Sequence, residues 1–328
     1  MQLLYSIANM RNPVFDFIFE TVTHLGEETL FLVISIVFFW CVNKREGYYI
    51  LLSGLFGTLI NQAAKITFRI SRPWVIDPDF QPVGNSKLEA TGYSFPSGHT
   101  QNIATTWGCI AAYNRRRAVT VLSLVIILLV SFSRLYLGVH TLLDVSVSLI
   151  ISLILVLGLR PFFETEQRFN RAYPIIVIIA TVLSVGYLIY VLSIATDTTL
   201  QAENYHSALK NACTLLGCNA GLILVYFIDT KIVKFETRAA WYAQIIKAAL
   251  GFGIVLAIKS GLSAPLTALF GNEFVARVVR YFLIVAFAGA LWPMTFKRFA
   301  KMKIPALDRF GMKVASLFTK KSATEKKN

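Results

Sequence analysis

Nine apolar stretches, each near the ~20 residues that a bilayer asks of a spanning helix, divide this chain, and short basic clusters punctuate them. They run over 28–43, 47–68, 97–113, 118–138, 140–159, 174–195, 208–229, 242–263 and 278–296. The expected fold class is all-α, a polytopic membrane helical bundle of about eight or nine spans. Composition agrees: of 328 residues, 55% are hydrophobic and 15% charged, with a mean hydropathy of +0.60. A soluble domain carries about 25% charged residues.

The formal net charge of +14 raises the question of a nucleic-acid partner, and the placement of the charges argues against one. The basic residues lie in short clusters between apolar runs, where they set topology and meet anionic lipid. Lys44 and Arg45, Arg115 to Arg117, Arg160 with Arg168 and Arg171, and Lys231, Lys234 and Arg238 fall on alternate loops, which marks that side as cytoplasmic. The other side receives the 70–96 loop with Asp77, Asp79 and Glu89, the 139–140 turn and the 196–207 loop. Arg277 and Arg280 break the alternation.

Cys41, Cys109, Cys213 and Cys218 lie in or beside apolar runs without C-x-x-C spacing, so neither a zinc site nor a disulfide framework is expected. Residues 1–27 lack the basic start and continuous apolar stretch of a secretory signal. Their apolar residues recur at gaps of three and four, which predicts an amphipathic helix at the interface.

Three polar patches stand at the ends of apolar stretches on the non-cytoplasmic side: Lys65 through Arg72 and Pro73, Pro96-Ser97-Gly98-His99, and Ser133-Arg134 through His140 to Asp144. Ionisable residues at membrane depth are costly and are functional candidates by default. His140 and Asp144 are four apart, so at the start of a helix they share a face. A carboxylate accepting the Nδ1 proton would leave the other nitrogen free to attack. Pro96 at a helix start loses nothing by its missing N–H. Ser97, Gly98 and His99 would then offer free amides to an anion, and Gly98 would let a phosphate approach the backbone. Lys65, Arg72 and Arg134 supply cationic donors for phosphoryl oxygens, and His99 suits a general acid for a leaving alkoxide.

Taken singly, each residue has an ordinary explanation. Lys65 would snorkel from a helix end, the arginines would anchor spans at the headgroup layer, and Pro-Ser-Gly is a common turn into a helix. Those explanations leave the convergence of all three patches on one side unexplained.

The patches, read as K-x6-R-P, P-S-G-H and S-R-x5-H-x3-D, resemble the signature of the phosphatidic acid phosphatase type 2 and haloperoxidase superfamily at every fixed position. The resemblance covers residues 28–160, with a sixth family span at 174–195. It implies that His140 forms a phosphohistidine, that Asp144 orients it, and that His99 protonates the leaving group. It also implies that Lys65, Arg72, Ser97, Gly98 and Arg134 bind phosphate, and that no metal ion or other cofactor is needed. The expected organisation is an interfacial helix over 1–27, a six-span phosphatase core over 28–200, further spans of unknown role over 201–300 and a basic cytoplasmic tail over 301–328. Within the added spans, Lys247 and Lys259 are expected to snorkel. Gly92-Tyr93-Ser94, ahead of Phe95-Pro96, is similar to sphingoid-phosphate phosphatases.

The expected activity is hydrolysis of a phosphomonoester or pyrophosphate on a lipid presented at the outer face of the cell membrane. Undecaprenyl pyrophosphate, phosphatidic acid, phosphatidylglycerophosphate and sphingoid phosphates are the candidates, the polyprenyl carrier being the first choice in a bacterial cell. Transfer of the phosphoryl group to an alcohol would use the same intermediate, and transport of lipid alone would have no use for His140 and Asp144 at this spacing. The charge pattern gives a topology test. Cysteines placed near His99 and His140 should react with an impermeant thiol reagent on intact cells, and those near Arg116 and Lys234 should not. Labelling in the 115–117 loop with none in the 76–90 loop would reverse the assignment.

Overall fold

In the computed structural model, which describes residues 1–90, 92–195, 197 and 201–309, the described residues form helices and loops with no strand. The expected helix over 1–27 is two helices, α1 (Gln2–Ala8) and α2 (Pro13–Thr23). Asn12 makes the break: its side chain accepts from the amides of Val14 and Phe15, both at 3.1 Å, and Pro13 takes the first helical position. Arg11 then ties this corner to the carbonyl oxygen of Tyr136 at 3.0 and 3.1 Å.

α3 (Glu28–Val37) continues through a wide π-type turn, Phe38–Val42, to α4 (Lys44–Phe68). The following loop holds two single turns, α5 (Pro73–Ile76) and α6 (Ser86–Glu89). Then come α7 (Gly98–Asn114), α8 (Arg117–Tyr136), α9 (Leu142–Phe163) and α10 (Glu166–Ser193). The chain continues with α11 (Ala202–Ile228), α12 (Trp241–Gly261), α13 (Ser263–Phe270), α14 (Glu273–Ala286) and α15 (Phe296–Ala300). Residues 310–328, most of the expected basic tail, lie outside the described residues.

Among the described residues, six helical stretches are long and apolar enough to cross a membrane: Arg117–Tyr136, Leu142–Phe163, Glu166–Ser193, Ala202–Val233, Trp241–Phe270 and Glu273–Ala300. A seventh arises if Pro13–Gly26 and Glu28–Val42, bent by 53°, count as one broken span. α4 and α7, expected as spans, are not among the six. α4 opens on Lys44-Arg45-Glu46, and α7 has only 17 residues, with Thr100, Gln101, Thr105 and Thr106 buried along it. Both are inner helices, packed against each other and flanked by α8, α9 and α10. Their polar side chains meet protein rather than lipid, so low hydropathy is compatible with their depth.

The core is aromatic. Trp40, Tyr48, Tyr49, Phe163 and Tyr173 are buried, and the Tyr49 hydroxyl donates to the Val156 carbonyl oxygen at 2.5 Å. All four cysteines are free thiols. The C-terminal helices are joined to this core rather than hung beside it. Trp40 Nε1 donates to the Ala288 carbonyl oxygen at 2.7 Å, and Lys44 pairs with Asp229 at 2.8 Å. Lys247, expected to snorkel, is instead 1% exposed: its Nζ donates to the Trp40 carbonyl oxygen at 2.8 Å and sits 4.3 Å from the Phe296 ring centre. A carbonyl and a π face supply the partners that an interface would otherwise offer.

α11 and α14 pack closely because α11 presents Gly217 and Gly221, four apart on one face. A Cβ at Gly217 would collide with the Val278 carbonyl oxygen, and one at Gly221 would lie 2.6 Å from Val285 Cβ. Gly217→Val should therefore force the two helices apart and cost roughly 1–3 kcal/mol. The thermal midpoint of the detergent-solubilised protein should fall by several degrees, and an unchanged midpoint would mean that the helices do not pack this closely.

Candidate active site

The three patches converge on one cavity of about 320 Å³. Lys65, Arg72, Gly98, His99, Arg134 and His140 line it, while Ser97 and Asp144 are fully buried one layer behind. α4 delivers Lys65 in its last turn and stops where Arg69 adopts a left-handed conformation (φ 50°). Arg69 then pairs with Asp197 beyond α10 at 2.6 Å, and the backbone turns to present Arg72.

The start of α7 is bolted to the start of α9. Ser97 caps α7 by accepting from the Thr100 amide at 3.4 Å, and its own amide donates to the Asp144 carbonyl oxygen at 3.2 Å. The Ser148 hydroxyl contacts both the Ser97 and the Asp144 carbonyl oxygens at 2.9 Å. Two expectations change here. Pro96 precedes the cap rather than occupying the first helical position, and the Ser97 amide is already used. Gly98 and His99 remain in the first turn, where no intrahelical carbonyl is available. Among the described residues, nothing beyond its chain neighbours and its own helix backbone lies within 4 Å of where a Cβ on Gly98 would sit, so the backbone there is open to a close-approaching ligand.

His140 and Asp144 do meet, but not along a shared helical face. His140 lies in the turn before α9, and Thr141 is the cap. Asp144 occupies the third helical position of a capping box: Thr141 Oγ1 accepts from the Asp144 amide at 3.3 Å, and Asp144 Oδ2 accepts from the Thr141 amide at 2.7 Å. The Ser94 hydroxyl donates to the same Oδ2 at 2.6 Å. His140 Nδ1 stands 3.4 Å from that oxygen and 3.4 Å from Ser94 Oγ. On its other side Nε2 lies 3.1 Å from Arg72 Nη1. A guanidinium only donates, so Nε2 is the unprotonated nitrogen and Nδ1 carries the proton toward Asp144 and Ser94.

Each cation is held by main-chain carbonyls or a hydroxyl. Arg72 Nε donates to Gly92 and Nη1 to Val139, both at 3.0 Å; Lys65 Nζ donates to the Tyr93 carbonyl oxygen at 2.6 Å. Arg134 Nη1 donates to Thr23 Oγ1 at the end of α2. Burial lowers the Arg72 guanidinium to about 10, which still leaves it charged at neutral pH. Three cations around a helix start make a site for an oxyanion. Among the described residues no three His, Cys, Asp or Glu side chains gather as metal ligands.

Sequence reasoning missed three contributors. Ser94, inside the Gly-Tyr-Ser run, bridges His140 and Asp144, and its only signal was a hydroxyl three residues ahead of Ser97. Thr141 was legible as a cap from the Thr-x-x-Asp spacing. Thr23, 111 residues from Arg134, left no local trace.

A family model described as the PAP2 superfamily matches residues 46–168, and one described as PAP2 superfamily phosphatase, transmembrane extension, matches residues 213–303. Phosphatidylglycerophosphatase B of Bacillus subtilis (strain 168) is 28% identical over 177 residues, covering 49% of this chain and 82% of that protein. A probable sphingosine-1-phosphate phosphatase of Dictyostelium discoideum is 27% identical over 179 residues, covering 49% of this chain; the chain spans only 43% of that relative. The crystal structure of the first transmembrane PAP2 type phosphatidylglycerolphosphate phosphatase from Bacillus subtilis aligns over 51% of this chain and 86% of its own, at 28% identity and a TM-score of 0.43. Both family models name one superfamily and together take in more than half of the sequence: the chain belongs to the PAP2 superfamily of membrane phosphatases and carries its transmembrane extension.

Proposed function

We propose that the chain hydrolyses a phosphomonoester or pyrophosphate of a membrane lipid, at the non-cytoplasmic face, through a phosphohistidine on His140. The observation that carries this reading is the placement of His140, with Nε2 3.1 Å from Arg72 Nη1 and Nδ1 3.4 Å from both Ser94 Oγ and Asp144 Oδ2, in a cavity lined by Lys65, Arg72 and Arg134. The phosphoryl oxygens take the donors of these cations and the amides of Gly98 and His99. Arg72 turns from Nε2 to a phosphoryl oxygen, and the freed lone pair attacks phosphorus. The P–O bond to the lipid breaks, and the departing alkoxide takes a proton from His99. Asp144 and Ser94 hold the imidazole as positive charge develops on it. Water, giving its proton to His99, then attacks phosphorus and releases inorganic phosphate from His140. The relatives are named a phosphatidylglycerophosphatase and a probable sphingosine-1-phosphate phosphatase, which fits a lipid phosphate as substrate. Phosphatidic acid presents the same phosphomonoester, and undecaprenyl pyrophosphate presents a terminal phosphoryl group whose leaving group is a lipid phosphate in place of an alkoxide.

His140→Ala should abolish phosphate release from every substrate, because no covalent intermediate forms. His99→Ala should act through the leaving group. On a lipid monophosphate the loss should be roughly 10²–10⁴-fold, on nitrophenyl phosphate far smaller, and on a pyrophosphate lipid intermediate. Single-turnover trapping of phosphoenzyme with the three substrates measures this, and equal losses across the series would remove His99 from the acid role.

Ser94→Ala tests the link between His140 and Asp144. Losing one hydrogen bond to a charged group is worth about 1.5–3 kcal/mol, so phosphoenzyme formation should slow roughly ten- to hundredfold. Ser94→Thr, which retains the hydroxyl, should recover part of the rate. A Ser94→Ala variant as fast as the unaltered protein would show that Asp144 orients His140 without help.

A further inference from the structure

The cavity extends beyond the phosphate-binding cations. α11, the helix that leads into the matched extension, also lines it through Asn204, Ser207 and Asn211. Their spacing of three and then four residues puts them on one face. Asn61 of α4 and Gln101 of α7 line the same space. Asn61 is 2% exposed, and neither its Nδ2 nor its Oδ1 has a hydrogen-bond partner among the described residues. Gln101, also 2% exposed, uses Nε2 on Thr105 at 3.2 Å and Ser152 at 2.8 Å, and its Oε1 is left without a partner. Leaving a buried amide unpaired destabilises the empty site, and a bound group that pairs with it relieves that cost.

The chemistry of the wanted group follows from what is unpaired. The open positions are two amide oxygens and one amide nitrogen, Asn61 Nδ2, and Glu27 and Glu28 add carboxylates to the lining. A second phosphate brings only acceptors and negative charge, and a plain hydrocarbon brings neither donor nor acceptor. A hydroxyl or an ammonium group brings a donor. Asn61 stands one helical turn before Lys65, a rise of about 5–6 Å, so such a group must lie within a few bonds of the phosphate ester.

We propose that this chamber is a headgroup subsite for a lipid phosphomonoester carrying a hydroxyl or ammonium group close to its ester carbon, and that α11 supplies the specificity-determining wall. The proposal rests on the lipid phosphatase reading above, and it gives α11 a task at the active site.

The test uses full-length protein in detergent and two lipid phosphates of equal chain length, one with hydroxyl and ammonium groups beside the ester carbon and one a bare alkyl phosphate, with nitrophenyl phosphate as a third substrate. A site built to bond a substrate hydroxyl discriminates strongly against an analogue lacking it. The unaltered protein should favour the substituted lipid at least about tenfold in kcat/KM. Asn211→Ala and Asn61→Ala should each shrink that ratio severalfold. No phosphate release from any of the three substrates would bring down the phosphatase reading itself. Release from all three with no preference between the two lipids would overturn the subsite alone, on the unaltered protein and so independently of how the variants fold. Variants that lose activity equally on both lipids would do the same, by showing that the amides only support the fold.

Discussion

Inside a bilayer a helix satisfies its own backbone, and the groups left over at its first turn must find partners in other protein segments. At the start of α7 those partners belong to α9. The Ser97 amide reaches the Asp144 carbonyl oxygen at 3.2 Å, and Ser148 contacts the carbonyl oxygens of both residues. One turn further in, Gln101 meets Ser152 at 2.8 Å. Each such bond contributes modestly in a membrane, around 0.6 kcal/mol and up to about 1–2. Their value is geometric, because they hold two helix starts in one register. The first turn of α7 and the His140 turn before α9 inherit their relative placement from this seam, and Arg72 and Ser94 are then set against them.

Much of this was legible before any coordinates. The nine apolar stretches fall largely on helices, and the three motif patches come together because each sits at the end of one. What local spacing could not convey was how the ends are joined. His140 and Asp144 read as partners on one helical face, whereas a capping box at Thr141 brings them together across a turn. Ser97 read as an open amide because nothing in its own neighbourhood points to Asp144, 47 residues later. Lys247 read as a snorkelling residue because its surroundings are apolar in sequence; its partners, Trp40 and Phe296, are remote in the chain. The apolar runs at 47–68 and 97–113 read as spans like the others, and only the structure separates them from lipid-facing helices: α4 and α7 are less apolar than the six and pack against other helices.

The extension is part of the same folding unit as the core. Trp40 bonds Ala288, Lys44 pairs with Asp229, and Gly217 and Gly221 let α14 lie close on α11. α11 can therefore serve as a rigid wall of the cavity, since it is braced by α10 and α4 on the core side and by α14 on the other.

The contact between Arg72 Nη1 and His140 Nε2 has a bearing on reactivity in the empty enzyme. While the guanidinium covers it, the imidazole lone pair is a poor target for passing electrophiles. A neutral ester or an alkylating agent offers nothing that would draw the cation aside. A dianionic phosphoryl group does, since it competes for the same donor with more charge than an imidazole nitrogen. On the proposed mechanism the substrate would thus uncover the nucleophile that attacks it, and selectivity for anionic phosphate would be built into access to the reacting atom as well as into binding.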